Sequence, residues 1–333
     1  MFMSRSPSTI PAHAASAEDA LFFRNQILAA SFVVTEAASL EGDTAERNGT
    51  YPASGIISYA QNREDILLWR ALRDLPEGFY IDVGAEDPTA DSVTRAFYER
   101  GWRGINVEPV QGHFDKLCDQ RPRDLTLQVA IGDRTGWATL YEFPDTGLST
   151  LLKKVASRHQ SGGLSYVERR IPIVTLTSLW EDFVEGEVHF LKIDVEGYEP
   201  QVLSGISLTR FRPWIILVEA TAPRTSEETW YEWEDQILES QYEFVHFDGL
   251  NRWYLAAEDR SLRTALMRLQ MSLTVSNWPL PHRFAIGSEQ RNTSLRQRNI
   301  SLSRFVRVHP GDGLLHSEFC GTVSTDGWNG CRL

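Results

Sequence analysis

The sequence predicts an α/β fold with a doubly wound, mostly parallel sheet that closes with an antiparallel hairpin. Short apolar runs alternate with amphipathic stretches at intervals of about 22 to 26 residues in the first half of the domain, as in repeated strand–helix units. Core runs stop at a glycine or an acidic residue, which is typical of parallel strands whose carboxyl ends share one edge of a sheet. The last two runs, residues 242–247 and 252–255, flank the hairpin signal Asp248-Gly249-Leu250-Asn251.

The first strand, FYIDV at residues 79–83, stops at Gly84 and is followed by a helix that begins near Asp91. A strand, a glycine turn and a helix N-terminus present backbone N–H groups to a polar or anionic ligand. The second strand, residues 104–107, ends in Glu108, close to the spacing at which such folds place a carboxylate on ribose hydroxyls. The turn has one glycine where a dinucleotide fingerprint has three, so an ordinary strand-to-helix turn stays open as an alternative.

The other elements follow in order. A helix over about residues 65–72 is preceded by a polar cluster that includes Gln61, which either caps the helix or enters the ligand site. The sequence further predicts helices at 92–100, 114–118, 177–183 and 227–240, core strands at 125–131, 188–193 and 214–218, and strand-like segments at 136–143 and 169–175.

The pattern divides the chain into three parts. Residues 1–53 are predicted to be a variable, partly disordered arm with one helix near residues 17–30, residues 54–260 the main domain, and residues 261–333 a basic, poorly ordered or appended extension. Within the main domain, the polar stretch 145–163 is predicted to be a mobile loop near the site.

Composition excludes several classes of function. The net charge is −12, and because the last 73 residues hold nine Arg against four acids, residues 1–260 carry −17, which argues against general binding to nucleic acid. The three cysteines form no C-x-x-C pair, so a reducing cytoplasm is the expected location. No apolar run reaches the ~18 residues that a membrane span needs. The oligomeric state stays open.

With these features in place, the chain resembles the FkbM family of S-adenosylmethionine-dependent methyltransferases. The resemblance covers residues 58–257. Two positions depart from the family pattern, Arg63 in place of glycine in SYAQNGED, and Glu86 in place of the common asparagine. The motifs that carry the resemblance are SYAQNRED from Ser58, FYIDVGAEDPTADSVTRAFYERGWRGINVEP from Phe79, VAIGD from Val129, LKIDVEGYEPQVLSG from Leu191 and FDGLNRWYL from Phe247.

The resemblance implies a class I methyltransferase (Rossmann-like) fold, S-adenosylmethionine (SAM) as methyl donor, and methylation of a hydroxyl oxygen. Members of the family often occur with glycan or natural-product assembly, so the expected acceptor is a hydroxyl of a sugar, a glycan or a related metabolite in polysaccharide biosynthesis. No nucleic-acid partner is expected.

Ligands of doubly wound folds lie beyond the carboxyl ends of the strands. Glu108 is predicted to bind the ribose diol, and Gly84 lets the backbone approach the methionine moiety. Ala130 and Ile131 are predicted to form the apolar wall that adenine needs. The predicted cofactor-binding residues are therefore Gln61, Asp82, Gly84, Glu108, Ala130, Ile131 and Asp133.

Methyl transfer needs an aligned acceptor oxygen and a group that helps to remove its proton. Asp194 is the predicted catalytic residue, because the end of the fourth core strand lies beside the transferred methyl in this fold class, and Glu219 and His246 are the further candidates. If a divalent metal such as Mg²⁺ or Mn²⁺ takes part, these same three residues are its expected ligands. The alternative is that carboxylates at strand ends cap helices or contact solvent.

Two other functions stay open from the sequence. A nicotinamide-dependent oxidoreductase would use a related sheet, but it requires the G-x-G-x-x-G turn that is absent here, and it does not explain the hairpin. A non-catalytic module with a degenerate methyltransferase fold is favoured only by Glu86 and the unusual C-terminal extension.

Overall fold

The computed structural model describes residues 56–272, together with residues 305–308 and 315–318. The predicted N-terminal arm and its helix near residues 17–30 lie outside the described residues. The strands are β1 (Phe79–Val83), β2 (Arg103–Val107), β3 (Leu125–Leu127), β4 (Ala130–Gly132), β5 (Gly136–Glu142), β6 (Val167–Thr175), β7 (Phe190–Ile193), β8 (Ile215–Glu219), β9 (Tyr242–Phe247), β10 (Asn251–Ala256), β11 (Phe305–Val308) and β12 (Leu315–Glu318).

The helices of the described residues flank these strands along the chain. They are α1 (Glu64–Leu72), α2 (Arg95–Tyr98), α3 (Gln111–Gln120), α4 (Lys153–Ser161), α5 (Leu176–Phe183), α6 (Glu199–Ser204), α7 (Glu234–Glu239) and α8 (Arg263–Ser272), with short 3₁₀ helices at Trp230–Glu232 and Ala257–Leu262. None of them has the length and apolar character required to cross a membrane.

The main sheet has seven strands in the order β3-β2-β1-β7-β8-β10-β9. All neighbours from β3 to β8 are parallel, whereas β10 pairs antiparallel with both β8 and β9. The hairpin therefore inserts its second strand between β8 and β9. This arrangement confirms the predicted class I methyltransferase fold, with its mostly parallel sheet and terminal antiparallel hairpin.

Alternation along the central strands builds the core on both faces of the sheet. In β7, Phe190 packs into one apolar cluster with Tyr80, and Leu191 packs into the other cluster with Ile81. These side chains are fully buried. Near-continuous apolar strands are expected where helices cover both faces of a parallel sheet.

A buried polar network holds the segment that follows the first glycine turn. The Arg121 guanidinium is fully buried and donates to the Pro88 carbonyl at 2.5 Å and to Ser92 Oγ at 2.9 Å. Its neighbour Asp124 accepts from the Tyr80 hydroxyl at 2.7 Å. The network joins the ends of β1 and α3 to the segment that precedes α2, and it thereby fixes one border of the site.

Three local predictions were wrong. The predicted strand at 125–131 is divided, because β4 leaves the main sheet and pairs with β6 in a separate sheet ordered β4-β6-β5. The predicted loop at 145–163 contains α4, and the predicted helix at 92–100 is reduced to the four residues of α2.

Helix α8 lies in the stretch that the sequence assigned to a poorly ordered extension. Leu266 on this helix is 1% exposed and packs in the same apolar cluster as Leu67 and Leu68 of α1. At the start of the helix, Arg263 donates to Glu243 of β9 at 2.8 Å. Residues beyond 260 thus contribute to the core of the main domain.

Replacing Leu266 by Ala is expected to lower the free energy of unfolding by about 2–4 kcal/mol, because it leaves a cavity between α8 and α1. The matched control is Met267→Ala on the same helix, where the side chain is 36% exposed and the loss should stay below ~0.5 kcal/mol. Urea denaturation of both variants measures the difference. Equal losses would show that α8 does not pack as the structure describes.

Candidate active site

A cavity of about 500 Å³ opens at the carboxyl ends of β1, β2, β7 and β8. Its wall is completed by residues 146–151, which follow β5, and by residues 221–225, which follow β8. This volume lies within the usual range of small-molecule sites. Of the predicted site residues, the lining contains Gln61, Gly84, Glu108, Ala130, Ile131, Asp194 and Glu219.

Backbone strain concentrates around this cavity. Seven non-glycine residues in the described part of the chain have a left-handed φ. Four of them line the cavity, namely Glu86, Asp91, Glu196 and Arg224. Such conformations cost about 1–3 kcal/mol each and accumulate where a site requires a particular backbone path.

Gly84 is required by the close approach of two strand ends. Its φ is +81°, and a Cβ added here would lie 1.8 Å from the Asp194 carbonyl oxygen. The N–H groups of Gly84 and Ala85 donate to the Val107 carbonyl at 3.0 and 3.2 Å. The turn therefore brings the end of β1 against the residue that follows β7, a contact that a larger side chain would prevent.

Glu108 is held rigidly at the end of β2. Its carboxylate accepts from the Val110 N–H at 2.7 Å and from the Glu86 N–H at 2.9 Å, and the residue is 4% exposed. Burial raises the pKa of Glu108 to about 7. Each oxygen keeps a further lone pair, so the carboxylate can also accept from two hydroxyl groups of a ligand.

The side chain of Glu86 forms the border between the glycine turn and the covering loop. A Cβ added at Gly147 would lie 2.7 Å from Glu86 Oε1, so the loop passes directly over this carboxyl. Burial, and after it the charge of Asp194, raises the pKa of Glu86. The same loop is tied to the opposite wall, because Thr150 Oγ1 donates to the Glu196 carbonyl at 2.9 Å.

Asp194 follows β7 directly, and 29% of its side chain is exposed. Its Oδ2 lies 3.4 Å from Lys192 Nζ. The ammonium group is also 3.5 Å from Oδ1 of the buried Asp82. One lysine is thus shared by an exposed and a buried carboxylate.

Further carboxyl groups surround Asp194. Glu219 at the end of β8 is 7% exposed, and its Oε2 has no hydrogen-bond partner among the described residues. Burial, followed by the negative charge of Asp194, raises the pKa values of Glu219 and Glu196. Glu199, whose pKa burial raises to about 7, accepts from the N–H groups of Val195 and Gly197. This side of the cavity therefore combines one accessible carboxylate with carboxyl groups that tend to retain protons.

The structure does not bring every predicted residue to the cavity. Asp133 is exposed and pairs with Arg134 at 3.1 Å, because β4 belongs to the small sheet and ends elsewhere. Asp82 lies beneath the turn, where it accepts from Thr94 Oγ1 at 3.1 Å and does not line the cavity.

His246 is also absent from the lining, and its ring stacks on Trp253 with centroids 5.2 Å apart. It lies on β9, and the inserted β10 separates this strand from β8 by two strand spacings, or roughly 10 Å. The expected grouping of His246 with Asp194 and Glu219 is therefore not found. In the described part of the chain, no three His, Cys, Asp or Glu side chains form a group suited to a metal ion.

Sequence reasoning did not identify Lys192, Glu196 and Arg224 as site residues, although all three line the cavity. For Lys192 a signal was present, since a charged residue inside the apolar run FLKI requires a buried partner. For Glu196 and Arg224 the deciding feature is a left-handed backbone conformation, which cannot be predicted from a non-glycine residue type.

Glu64 offers a test of the buried carboxyl groups by pH. It is 3% exposed, and burial raises its pKa from 4.5 to about 7. Between these values the folded protein holds a proton that the unfolded chain releases, so this group's contribution to stability is lost as the pH rises from about 4.5 through 7.

Between about pH 5 and 7.5, the free energy of unfolding should decline less in the Glu64→Gln variant than in wild type. The difference between the two declines should reach up to about 3 kcal/mol. Urea denaturation across this range measures the slope, with the exposed Glu77→Gln as the control that keeps the wild-type slope. Identical slopes in Glu64→Gln and wild type would contradict the assignment.

A family model described as the methyltransferase FkbM domain matches residues 82–247. No curated protein matches the chain. Among solved structures, an O-methyltransferase from Bacillus cereus in complex with SAH is similar at 11% identity and a TM-score of 0.29, over 69% of this chain and 89% of that chain.

Proposed function

The chain belongs to the FkbM methyltransferase family, whose domain spans residues 82–247, and on this premise we propose that it transfers the methyl group of SAM to a hydroxyl oxygen of a sugar, a glycan or a related small molecule. The observation that carries the proposal is that one cavity contains both a corner suited to a nucleoside and a carboxylate suited to catalysis. Gly84 and Glu108 provide a nucleoside-binding corner, and Asp194 provides an accessible carboxylate beside it.

The residues present fit the donor. Gly84 lines the cavity at the end of β1, and Glu108 supplies two acceptor oxygens for a ribose diol. Ala130 and Ile131 supply an apolar wall for a purine. When bound, SAM supplies a methyl group already activated by a sulfonium.

The chain's own residues then have two tasks. The cavity walls hold the acceptor hydroxyl in line with the methyl group, which lowers the entropic part of the barrier. Asp194 accepts a hydrogen bond from that hydroxyl and takes its proton as the new bond forms. The carboxyl groups of Glu196 and Glu219, which tend to stay protonated, leave Asp194 as the carboxylate available for this step on its side of the cavity.

The charge of the cavity favours a neutral or cationic acceptor. Its lining holds six acids, namely Glu86, Asp91, Glu108, Asp194, Glu196 and Glu219, and even with Glu196 and Glu219 protonated the other four outnumber the lining cations Lys192 and Arg224. A sugar hydroxyl meets this condition, whereas an acceptor rich in phosphate or carboxylate would meet repulsion. The cytoplasmic location stays a prediction from the cysteine content.

The proposal is tested with donor and acceptor separately. Calorimetry with SAM, SAH and NADH should show binding of the first two and none of NADH. Incubation with methyl-labelled SAM and a glycan extract, followed by hydrolysis and mass spectrometry, should recover O-methyl sugars. Label on nitrogen would overturn the oxygen acceptor, and binding of NADH without SAM would overturn the donor.

A further inference from the structure

Lys192 occupies an unusual position in the core of the sheet. It lies in β7 directly beside Asp82 of β1, since the register pairs Asp82 with Lys192 and Val83 with Ile193. Because side chains in a strand alternate, Lys192 and the Asp194 that follows two residues later extend to the same side of the sheet. The Lys192 side chain therefore lies between β1 and the carboxyl end of its own strand, β7.

The ammonium group of Lys192 lies close to three protein oxygens. Nζ lies 3.3 Å from the Gly84 carbonyl oxygen, 3.5 Å from Asp82 Oδ1 and 3.4 Å from Asp194 Oδ2. The side chain is 11% exposed. The contact with the Gly84 carbonyl is a hydrogen bond, and the contacts with Asp82 and Asp194 are ion pairs.

The charge of Lys192 is fixed by the same contacts. Burial alone would lower its pKa, but the carboxylates of Asp194 and Asp82 raise the pKa well above its usual range. These contacts favour the charged form of Lys192 over the neutral amine that a base would need.

We infer that Lys192 is a positioning residue that ties the donor side of the cavity to its acceptor side. It holds the Gly84 carbonyl, and so orients the turn beneath the cofactor site. It also holds Asp194 Oδ2, which leaves Oδ1 for the acceptor hydroxyl. This inference rests on the proposed function, because it assigns a task within the same reaction.

A purely structural role is the alternative explanation. Asp82 is 1% exposed, and its Oδ1 has no hydrogen-bond partner, so Lys192 is also the countercharge of a buried carboxylate. Removing the lysine alone would leave an unpaired charge in the core and could prevent folding. The single variant therefore cannot separate the two explanations.

The double variant Asp82→Asn/Lys192→Met separates them, because it removes one positive and one negative charge together. If the lysine only neutralises Asp82, the double variant recovers stability, SAH affinity and turnover. If Lys192 positions the turn, calorimetry of the folded double variant should show an SAH dissociation constant raised about five-fold or more. With the acceptor found for the proposed function, kcat should fall about 100-fold while the acceptor KM stays within about three-fold.

The matched control is Arg210→Gln/Glu181→Gln, which removes an exposed ion pair of 2.5 Å on the protein surface. It should bind SAH and turn over as wild type does. Wild-type SAH affinity and kcat in a folded Asp82→Asn/Lys192→Met variant would overturn the inference. Failure of the wild-type protein to bind SAM and SAH would instead refute the proposed function.

Discussion

Replacing Asp194 by Asn is expected to lower turnover about 100-fold or more while the fold and the affinity for SAM are preserved. The change keeps the size of the side chain and its contact with Lys192 through the amide oxygen. It removes the negative charge and, with it, the ability to accept the proton from the acceptor hydroxyl. Because 29% of the side chain is exposed, the substitution should not disturb packing.

The measurement is single-turnover transfer of labelled methyl, with SAM affinity from calorimetry and stability from thermal unfolding. Asp133→Asn is the matched control, since it makes the same change at an exposed strand end outside the cavity. Asp133→Asn should keep wild-type turnover and SAM affinity. Near-wild-type turnover in Asp194→Asn would assign catalysis to alignment alone, with the base elsewhere.

The same assay tests whether the reaction depends on a metal ion. Activity in EDTA tests whether a metal takes part, since the described residues present no group of three suitable ligands. Loss of activity in EDTA, with recovery on addition of Mg²⁺ or Mn²⁺, would restore Asp194 and Glu219 as ligands in place of a proton acceptor.

The sequence predicted the sheet well because its signal is local. Five apolar runs bounded by glycine or acids correspond to β1, β2, β3, β7 and β8, and Asp248-Gly249 marks the turn between β9 and β10. The prediction failed where the pairing of strands distant in the sequence determines the structure. Residues 125–131 are apolar throughout, and nothing in them shows that β4 will turn away to pair with β6.

The two departures from the family pattern have a shared structural basis. Arg63 has a φ of +66° and Glu86 a φ of +52°, so each places an ordinary side chain in the left-handed region. Glycine and asparagine, which the family commonly has there, adopt this region at lower cost. The backbone at both positions adopts the conformation that glycine or asparagine favours, and Glu86 adds a carboxyl group to the cavity wall.

The acidic site residues were predictable where they end a strand. Glu108, Asp194 and Glu219 follow buried runs, and the rule for doubly wound sheets places them at one edge. The same rule wrongly included His246, because position along a strand does not reveal that β10 will lie between β8 and β9. Lys192 was missed because its role depends on the neighbouring strand.

Replacing Glu108 by Ala is expected to weaken SAM binding by about 2–4 kcal/mol, or roughly 30- to 900-fold. The variant removes two charge-assisted hydrogen bonds to the ribose hydroxyls. It also releases the N–H groups of Glu86 and Val110, which Glu108 holds at 2.9 and 2.7 Å. Calorimetry measures the affinity, and thermal unfolding verifies that the variant is folded.

A second ligand distinguishes the loss of the ribose hydrogen bonds from the effect of releasing the two N–H groups. The 2′-deoxy analogue of SAH lacks one of the hydroxyls, so wild type should bind it about ten-fold more weakly than SAH, whereas Glu108→Ala should bind the two ligands equally. Glu108→Gln, which keeps one acceptor oxygen, should be intermediate. Because the pKa of Glu108 is raised to about 7, wild-type preference for the hydroxyl should increase as the pH rises through 7. A folded Glu108→Ala variant that binds SAM with wild-type affinity would place the ribose on another residue.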